Sequence, residues 1–183
     1  MSDKNRGGFN LDYSDGFNIE AENFIKYKSI LQRLLTASNI ELVTRGMMDK
    51  ECGIDAIAKI ESQHYFIGLR FRKTKRDFNS ITLSRHINDS ASEVKKFLRN
   101  RLRPDFFIQI TELINHIRIT EVNIDAFNLF LEKAFKDGIL EKYYNKKLLA
   151  YEFPLNDLDS NKNKVIGNYG IRNYLIEKDK LFT

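Results

Sequence analysis

A chain of 183 residues, 42% of them hydrophobic, is long enough to bury a core, and its single cysteine, Cys52, excludes both a disulfide framework and a zinc site built on two thiolates. Three histidines without HxxxH spacing leave little for zinc hydrolysis, no apolar run approaches the ~20 residues of a membrane helix, and the polar start MSDKNRGGFN does not read as a signal peptide, so an intracellular, cytoplasmic protein is expected. The net charge of +5 is concentrated: residues 70–103 hold eleven Lys/Arg against three Asp/Glu, whereas residues 1–69 hold eight against ten and residues 104–183 eleven against twelve.

Residues 1–16, rich in Gly, Asn and Asp, read as a flexible lead-in. Phe24, Tyr27, Leu31, Leu34 and Leu35 recur at helical spacing and predict a helix from an Asn18 cap to about Ala37, with Glu20 and Glu22 in its first turn. Ile40 to Thr44 reads as a short strand and Asp49 to Gly53 as a polar turn. Ile54 to Ile60 alternates, with Ile54, Ala56, Ala58 and Ile60 on one face. A tight Ser62-Gln63 connection leads to a strand from His64 to Phe71, so the two predict a hairpin. Ile81 to Leu83 reads as a weaker strand. Ser90 to Leu102 is an amphipathic helix with Val94, Phe97 and Leu98 inward, and Pro104 stops it.

Phe106 to Ile110 is an apolar run suited to a buried strand, and Ile117 to Thr120 a shorter strand. Asn123 caps a helix carrying Ile124, Phe127, Leu131 and Phe135, and Gly138 ends it. Leu148 to Pro154 is a further strand, followed by a polar Asn-Lys segment and a short ending around Tyr169 to Ile176. Strands and helices in this order predict an α/β (α+β) fold with a mixed central sheet flanked by helices. The domain is expected over residues 17–158, with 159–183 as an extension packed on it.

The cations cluster in two places. Arg70, Arg72, Lys73, Lys75 and Arg76 follow one another, and Lys95, Lys96, Arg99, Arg101 and Arg103 line the outer face of the later helix. Such clustering is the footprint of a protein that binds a phosphate backbone; a solvated basic face is the plainer reading. Tyr143-Tyr144 and Phe106-Phe107 are either stacking platforms for bases or core. His64 reads as phosphate-assisting or merely surface polar, and Cys52 has no visible catalytic partner.

Gly53-Ile54-Asp55 opens a strand, and Tyr65-Phe66-Ile67-Gly68-Leu69-Arg70-Phe71-Arg72 follows about a dozen residues later; a basic connection, a weak strand, a helix and Pro104-Asp105-Phe106-Phe107-Ile108 come next. This resembles the PD-(D/E)XK (restriction-endonuclease-like) nuclease superfamily, whose core is a helix, a three-stranded meander, a helix and a further strand. The order of elements matches over roughly residues 18–158 and the motif over 53–72; Phe153-Pro154-Leu155-Asn156-Asp157-Leu158 is similar to the strand-and-turn ending of several members.

The resemblance implies an Asp at the second strand and an Asp or Glu on the third that bind magnesium, and a lysine two positions later. Asp55 matches the first acid. The second position falls on Gly68 and the lysine on Arg70, which keeps the charge but does not readily give up a proton. Magnesium needs more than one oxygen donor from its surroundings, so Glu20 or Glu22, or Glu51 or Asp49 from the preceding turn, becomes a candidate second ligand; each also has an ordinary structural role open to it. The expected function is therefore nucleic-acid engagement, DNA foremost. It takes one of two forms: a magnesium-dependent endonuclease in which Asp55 and Glu20 or Glu22 hold the metal and Arg70 or Arg72 steadies the phosphate, or a binding relative that has lost catalysis. The alternative is a protein-interaction module or inhibitor whose basic surface meets an acidic protein partner.

Overall fold

The computed structural model describes residues 13–43, 52–84, 93–99, 102–155 and 171–180, with the backbone alone at 13–20, 99 and 180. Helix α1 (Tyr13–Leu35) leads into a six-stranded mixed sheet. Its strands are β1 (Asn39–Leu42), β2 (Ala56–Ile60), β3 (Gln63–Lys73), β5 (Phe106–Glu112), β6 (His116–Asn123) and β9 (Arg172–Glu177), side by side in that order. Only β3 and β5 run parallel; every other neighbouring pair is antiparallel. A second, three-stranded sheet has the order β4 (Ser80–Ser84), β8 (Ala150–Pro154), β7 (Tyr144–Asn145). Helices α2 (Glu93–Arg99) and α3 (Ile124–Lys136) complete an α+β fold.

Alternation along the strands divides the core in two. Ala56, Ala58, Ile67, Leu69, Ile108, Ile110, Ile117 and Ile119 face one side of the large sheet, where Phe24, Tyr27, Ile30 and Leu31 of α1 cover them. Phe107 and Val122 face the other side. There they pack with Val94 and Phe97 of α2, Phe127 and Leu131 of α3, and Ile81, Leu83 and Phe153 of the small sheet. Buried Gln109 on β5 joins the sheets: its amide donates to Ser80 O (2.8 Å) and accepts from Thr82 N (2.9 Å). At the far end of β5, Glu112 accepts from Lys26 Nζ, Tyr27 OH and Lys178 Nζ, at 2.8–3.0 Å, and so ties α1 and the end of β9 to the sheet.

The antiparallel β2–β3 hairpin forms as expected, but its turn is Glu61-Ser62 rather than Ser62-Gln63, with Ile60 paired to Gln63. Several expectations need correction. Helix α1 begins at Tyr13, inside the expected lead-in, so Asn18 is not its cap and Glu20 and Glu22 lie beyond its first turn. Asn and Gly inside a helix cost only about 0.5–1 kcal/mol each, and the buried stripe that follows outweighs that. Strand β4 pairs with β8 rather than with the large sheet. In α3 the Asn123 cap holds, its Oδ1 accepting from Ala126 N at 3.0 Å, but Phe135 is exposed and Ala134 takes the inward position. Leu148 and Leu149 are exposed in the turn before β8, and Leu149 adopts a φ of 49°. No helix among the described residues is long and apolar enough to cross a membrane.

Candidate nucleic-acid interface

Strand β3 carries both halves of the expected site. Ile67 and Leu69 turn towards α1, so Gly68, Arg70 and Arg72 share the opposite face. That face changes character along its length.

At Gly68 there is no room. A Cβ built there would lie 2.9 Å from Gly53 O, 3.2 Å from Phe107 Cδ2 and 3.3 Å from Pro104 Cγ. The glycine at the second-acid position is thus a packing requirement, and a carboxylate has nowhere to go. Asp55 sits just before β2, and its Oδ2 accepts the Leu69 N–H at 2.6 Å. Its own N–H donates to Ile67 O (2.8 Å) and its carbonyl accepts from Val43 N (2.8 Å). The side chain therefore continues the ladder past the point where β2 begins, satisfying a β3 donor that would otherwise lack an acceptor.

Arg70 forms an ion pair with Glu93, the first residue of α2, whose Oε2 also accepts from Ser84 N. Glu93 is part-buried, and desolvation by itself raises a carboxyl pKa, yet the Arg70 charge and hydrogen bond hold it below the usual carboxylate value. At the lysine position of the resemblance there stands a guanidinium already matched by a carboxylate. Arg70, expected to steady a phosphate, thus has Glu93 as its partner in this structure.

Glu22 is exposed on α1. The Glu20 side chain, Glu51 and Asp49 lie outside the described residues. Asp55 belongs to no group of three or more His, Cys, Asp or Glu side chains among the described residues. The donors described near Asp55 do not fit magnesium. One acid already holds a backbone N–H, the second position has no side chain, and a paired guanidinium stands at the third.

Beyond Arg70 the cations turn outward. Arg72 is half-buried, with its guanidinium 6.0 Å from the Phe78 ring centre; burial pulls its pKa down while the nearby Glu152 charge opposes the fall. Lys73, Lys75 and Arg76 are exposed and make no ion pair among the described residues. The loop that presents them is anchored at both ends. Thr74 N donates to Glu112 O (3.0 Å), Asp77 pairs with Arg118 of β6, and Asp77 Oδ1 accepts from Asn79 N (2.9 Å). The Asp77 pKa falls below its usual value because the Arg118 and Asn79 hydrogen bonds outweigh its desolvation. The only acid in the loop is thus already used.

Of the second cluster, Lys95 and Lys96 are half-buried, and the Lys96 stem packs 3.6 Å from the Cβ position of Gly53; the Arg99 side chain lies outside the described residues. Phe107 is core, which removes it as a platform for bases, and half-buried Phe106 packs at a tilt against Tyr65. Half-buried Tyr143 packs on Phe130 and Phe153, and Tyr144 on Tyr151. Cys52 is buried and His64 exposed at the hairpin.

Two features escaped the sequence reading. Glu93 was one of only three acids in residues 70–103, and an arginine on an inward face calls for one of them. Phe78, two residues after the basic run, is 54% exposed and lines a cleft that continues towards Lys142, Lys146 and Lys147. No protein-family profile, curated protein or solved structure matches the chain.

Proposed function

We propose that this chain binds nucleic acid through the phosphate backbone, on a scaffold similar to the PD-(D/E)XK nucleases but without their metal-dependent cleavage. One observation carries the reading. Arg72, Lys73, Lys75 and Arg76 are presented by a strand end and loop fastened at both sides, and the loop's only carboxylate is spent on Arg118. A preorganised row of cations attracts polyanions and loses little entropy on binding them. The scaffold reading draws support from the succession α1, β1–β2–β3, then β4 of the small sheet, α2 and β5, and the loss of cleavage from the crowding at Gly68 and the Arg70–Glu93 pair.

The test is binding to labelled duplex and single-stranded DNA and RNA across a salt series. Replacing Arg72, Lys73, Lys75 and Arg76 together by Gln should weaken binding and flatten the salt dependence by up to about 0.9 for each duplex phosphate no longer neutralised. Magnesium or manganese should give no nicking of plasmid or single strands with the wild type or with Asp55→Ala. Absence of binding at low salt, with retention of an acidic polypeptide such as polyglutamate, would replace nucleic acid by an acidic protein partner. Metal-dependent cleavage abolished by Asp55→Ala would restore the nuclease.

A further inference from the structure

The cleft beside the basic loop has a volume of about 650 Å³ and opens between two separate parts of the chain. Phe78, Ser80 and Pro154 form one side; the other comes from the Lys142–Lys147 segment, where a short 3-10 helix turns into β7. Its rim is cationic: Lys142, Lys146 and Lys147 are exposed and make no ion pair among the described residues. Its interior is aromatic and polar. Tyr143 and Tyr144 are half-buried there, and Glu152 accepts from Ser80 Oγ (2.7 Å) and Asn145 Nδ2 (2.9 Å).

We propose that this cleft receives an unpaired stretch of nucleic acid, with a base stacked on Phe78 and phosphates held by Lys142, Lys146 and Lys147. The inference rests on the nucleic-acid reading above and extends it from a charged loop to a substrate class. The distribution of charge decides the strand form. A duplex offers phosphates and hides the faces of its bases, so it would use the lysines but leave Phe78 and the polar interior idle. A single strand offers both. Its bases find a ring that is more than half exposed and interior groups able to meet their polar edges, while its phosphates find the rim. The Glu152 carboxylate would repel a phosphate drawn inside, which keeps the backbone at the rim and turns the bases inward. Arg72, in electrostatic contact with Glu152 and over Phe78, connects the cleft to the basic loop, so one strand can run along both.

The experiment is fluorescence anisotropy of the full chain with a 20-nucleotide single strand, as DNA and as RNA, and with the duplex of the same sequence. Phe78→Ala should lower single-strand affinity about 5- to 150-fold with an unchanged salt slope, because it removes a stacked base and leaves every phosphate in place. Phe78→Trp should restore it. Lys142→Gln, Lys146→Gln and Lys147→Gln combined should lower the single-strand salt slope by about 2, at roughly 0.7 per phosphate. Duplex affinity should not change with Phe78→Ala, and with the lysine replacements it should fall less than single-strand affinity does. Circular dichroism and thermal melting of each variant establish that it is folded. If single strands bind but ignore both sets while responding to the Arg72–Arg76 replacements, the cleft is wrong and the nucleic-acid reading stands. Equal losses for duplex and single strand also overturn the cleft. If the wild type binds neither, both readings fall together.

Discussion

Gly68 is the position at which the nuclease resemblance and the packing make opposite demands. A nuclease needs a carboxylate there, whereas a Cβ alone would stand 2.9 Å from the main-chain oxygen of Gly53 and crowd Phe107 and Pro104. The nearest obstacle is backbone, so it cannot rotate aside. Overpacking of this kind costs about 1–3 kcal/mol, and the lost flexibility of the unfolded chain returns about 0.4–1 kcal/mol, so Gly68→Ala should destabilise by about 1–2 kcal/mol. Gly68→Glu adds a longer chain and an unpaired carboxylate beside the Phe97–Phe107 contact. That cost, several kcal/mol more, approaches the whole stability of an ordinary domain, about 5–15 kcal/mol. Urea unfolding followed by circular dichroism measures both variants. The expected result is a lower midpoint for Gly68→Ala and no cooperative transition for Gly68→Glu. The reasoning fails if Gly68→Ala is as stable as the wild type, or if Gly68→Glu folds and nicks plasmid DNA with magnesium.

Two glutamates on adjacent strands should respond to pH in opposite directions. Glu112 is held at about 2 chiefly by its hydrogen bond from Lys26; its stabilisation is complete above the ordinary value of 4.5 and is lost as pH falls towards 2. Glu112→Gln should therefore cost about 1–2 kcal/mol at pH 7, discounted because Lys26 is 41% exposed, and the gap to the wild type in urea unfolding should shrink below pH 4.5. Burial raises the Glu121 pKa against the weak pull of Arg172, 4.0 Å away, so its ionisation costs stability above that raised value. Glu121→Gln should raise the melting temperature at pH 7, with the gain fading as pH falls through the raised pKa. Removing one partner of the Arg70–Glu93 pair should cost about 2–4 kcal/mol, while Arg70→Met with Glu93→Leu should recover part of it in a double-mutant cycle. A cycle with no coupling would show that the two side chains act independently.

The fold could be read from the sequence wherever one local pattern decided an element. The β2–β3 hairpin follows from alternation on either side of a tight turn, whose position the pattern set one residue too late, and α3 from its Asn123 cap and its terminating Gly138, at φ 66°. Where partners are distant, local pattern ran out. Ile81 and Leu83 read as a strand, but nothing near them says that β8, some seventy residues later, rather than β3 supplies their hydrogen bonds. Strand β9 carries weak alternation and gains its place by pairing with β6 and through the Lys178–Glu112 contact. Phe135 lies four residues after Leu131 and yet is exposed, because α3 turns Leu131 and Ala134 towards the core and leaves Phe135 outside it. Helical spacing locates the apolar stripe, and the neighbouring elements fix its edge.

The site divides in the same way. A run of cations needs no fold to be noticed, and Lys73, Lys75 and Arg76 are exposed as their sequence implied. Asp55 was recognisable by its position before a strand, but its employment depends on where β2 begins opposite β3, which is a property of pairing. Arg70 and Arg72 are identical in type and two residues apart on one face of one strand, yet Glu93 neutralises Arg70, whereas Arg72 reaches over Phe78 at the edge of the cleft. That gradient along β3 runs from a packed glycine, through a matched ion pair, to outward-facing charge. It sets exposed cations at the strand's end, while at its start, among the described residues, Asp55 already holds Leu69 N and Gly68 has no side chain to offer. On the proposed reading, a chain that holds a polyanion without cutting it needs no second carboxylate on β3, and the crowding that a Cβ would meet at Gly68 is compatible with that reading.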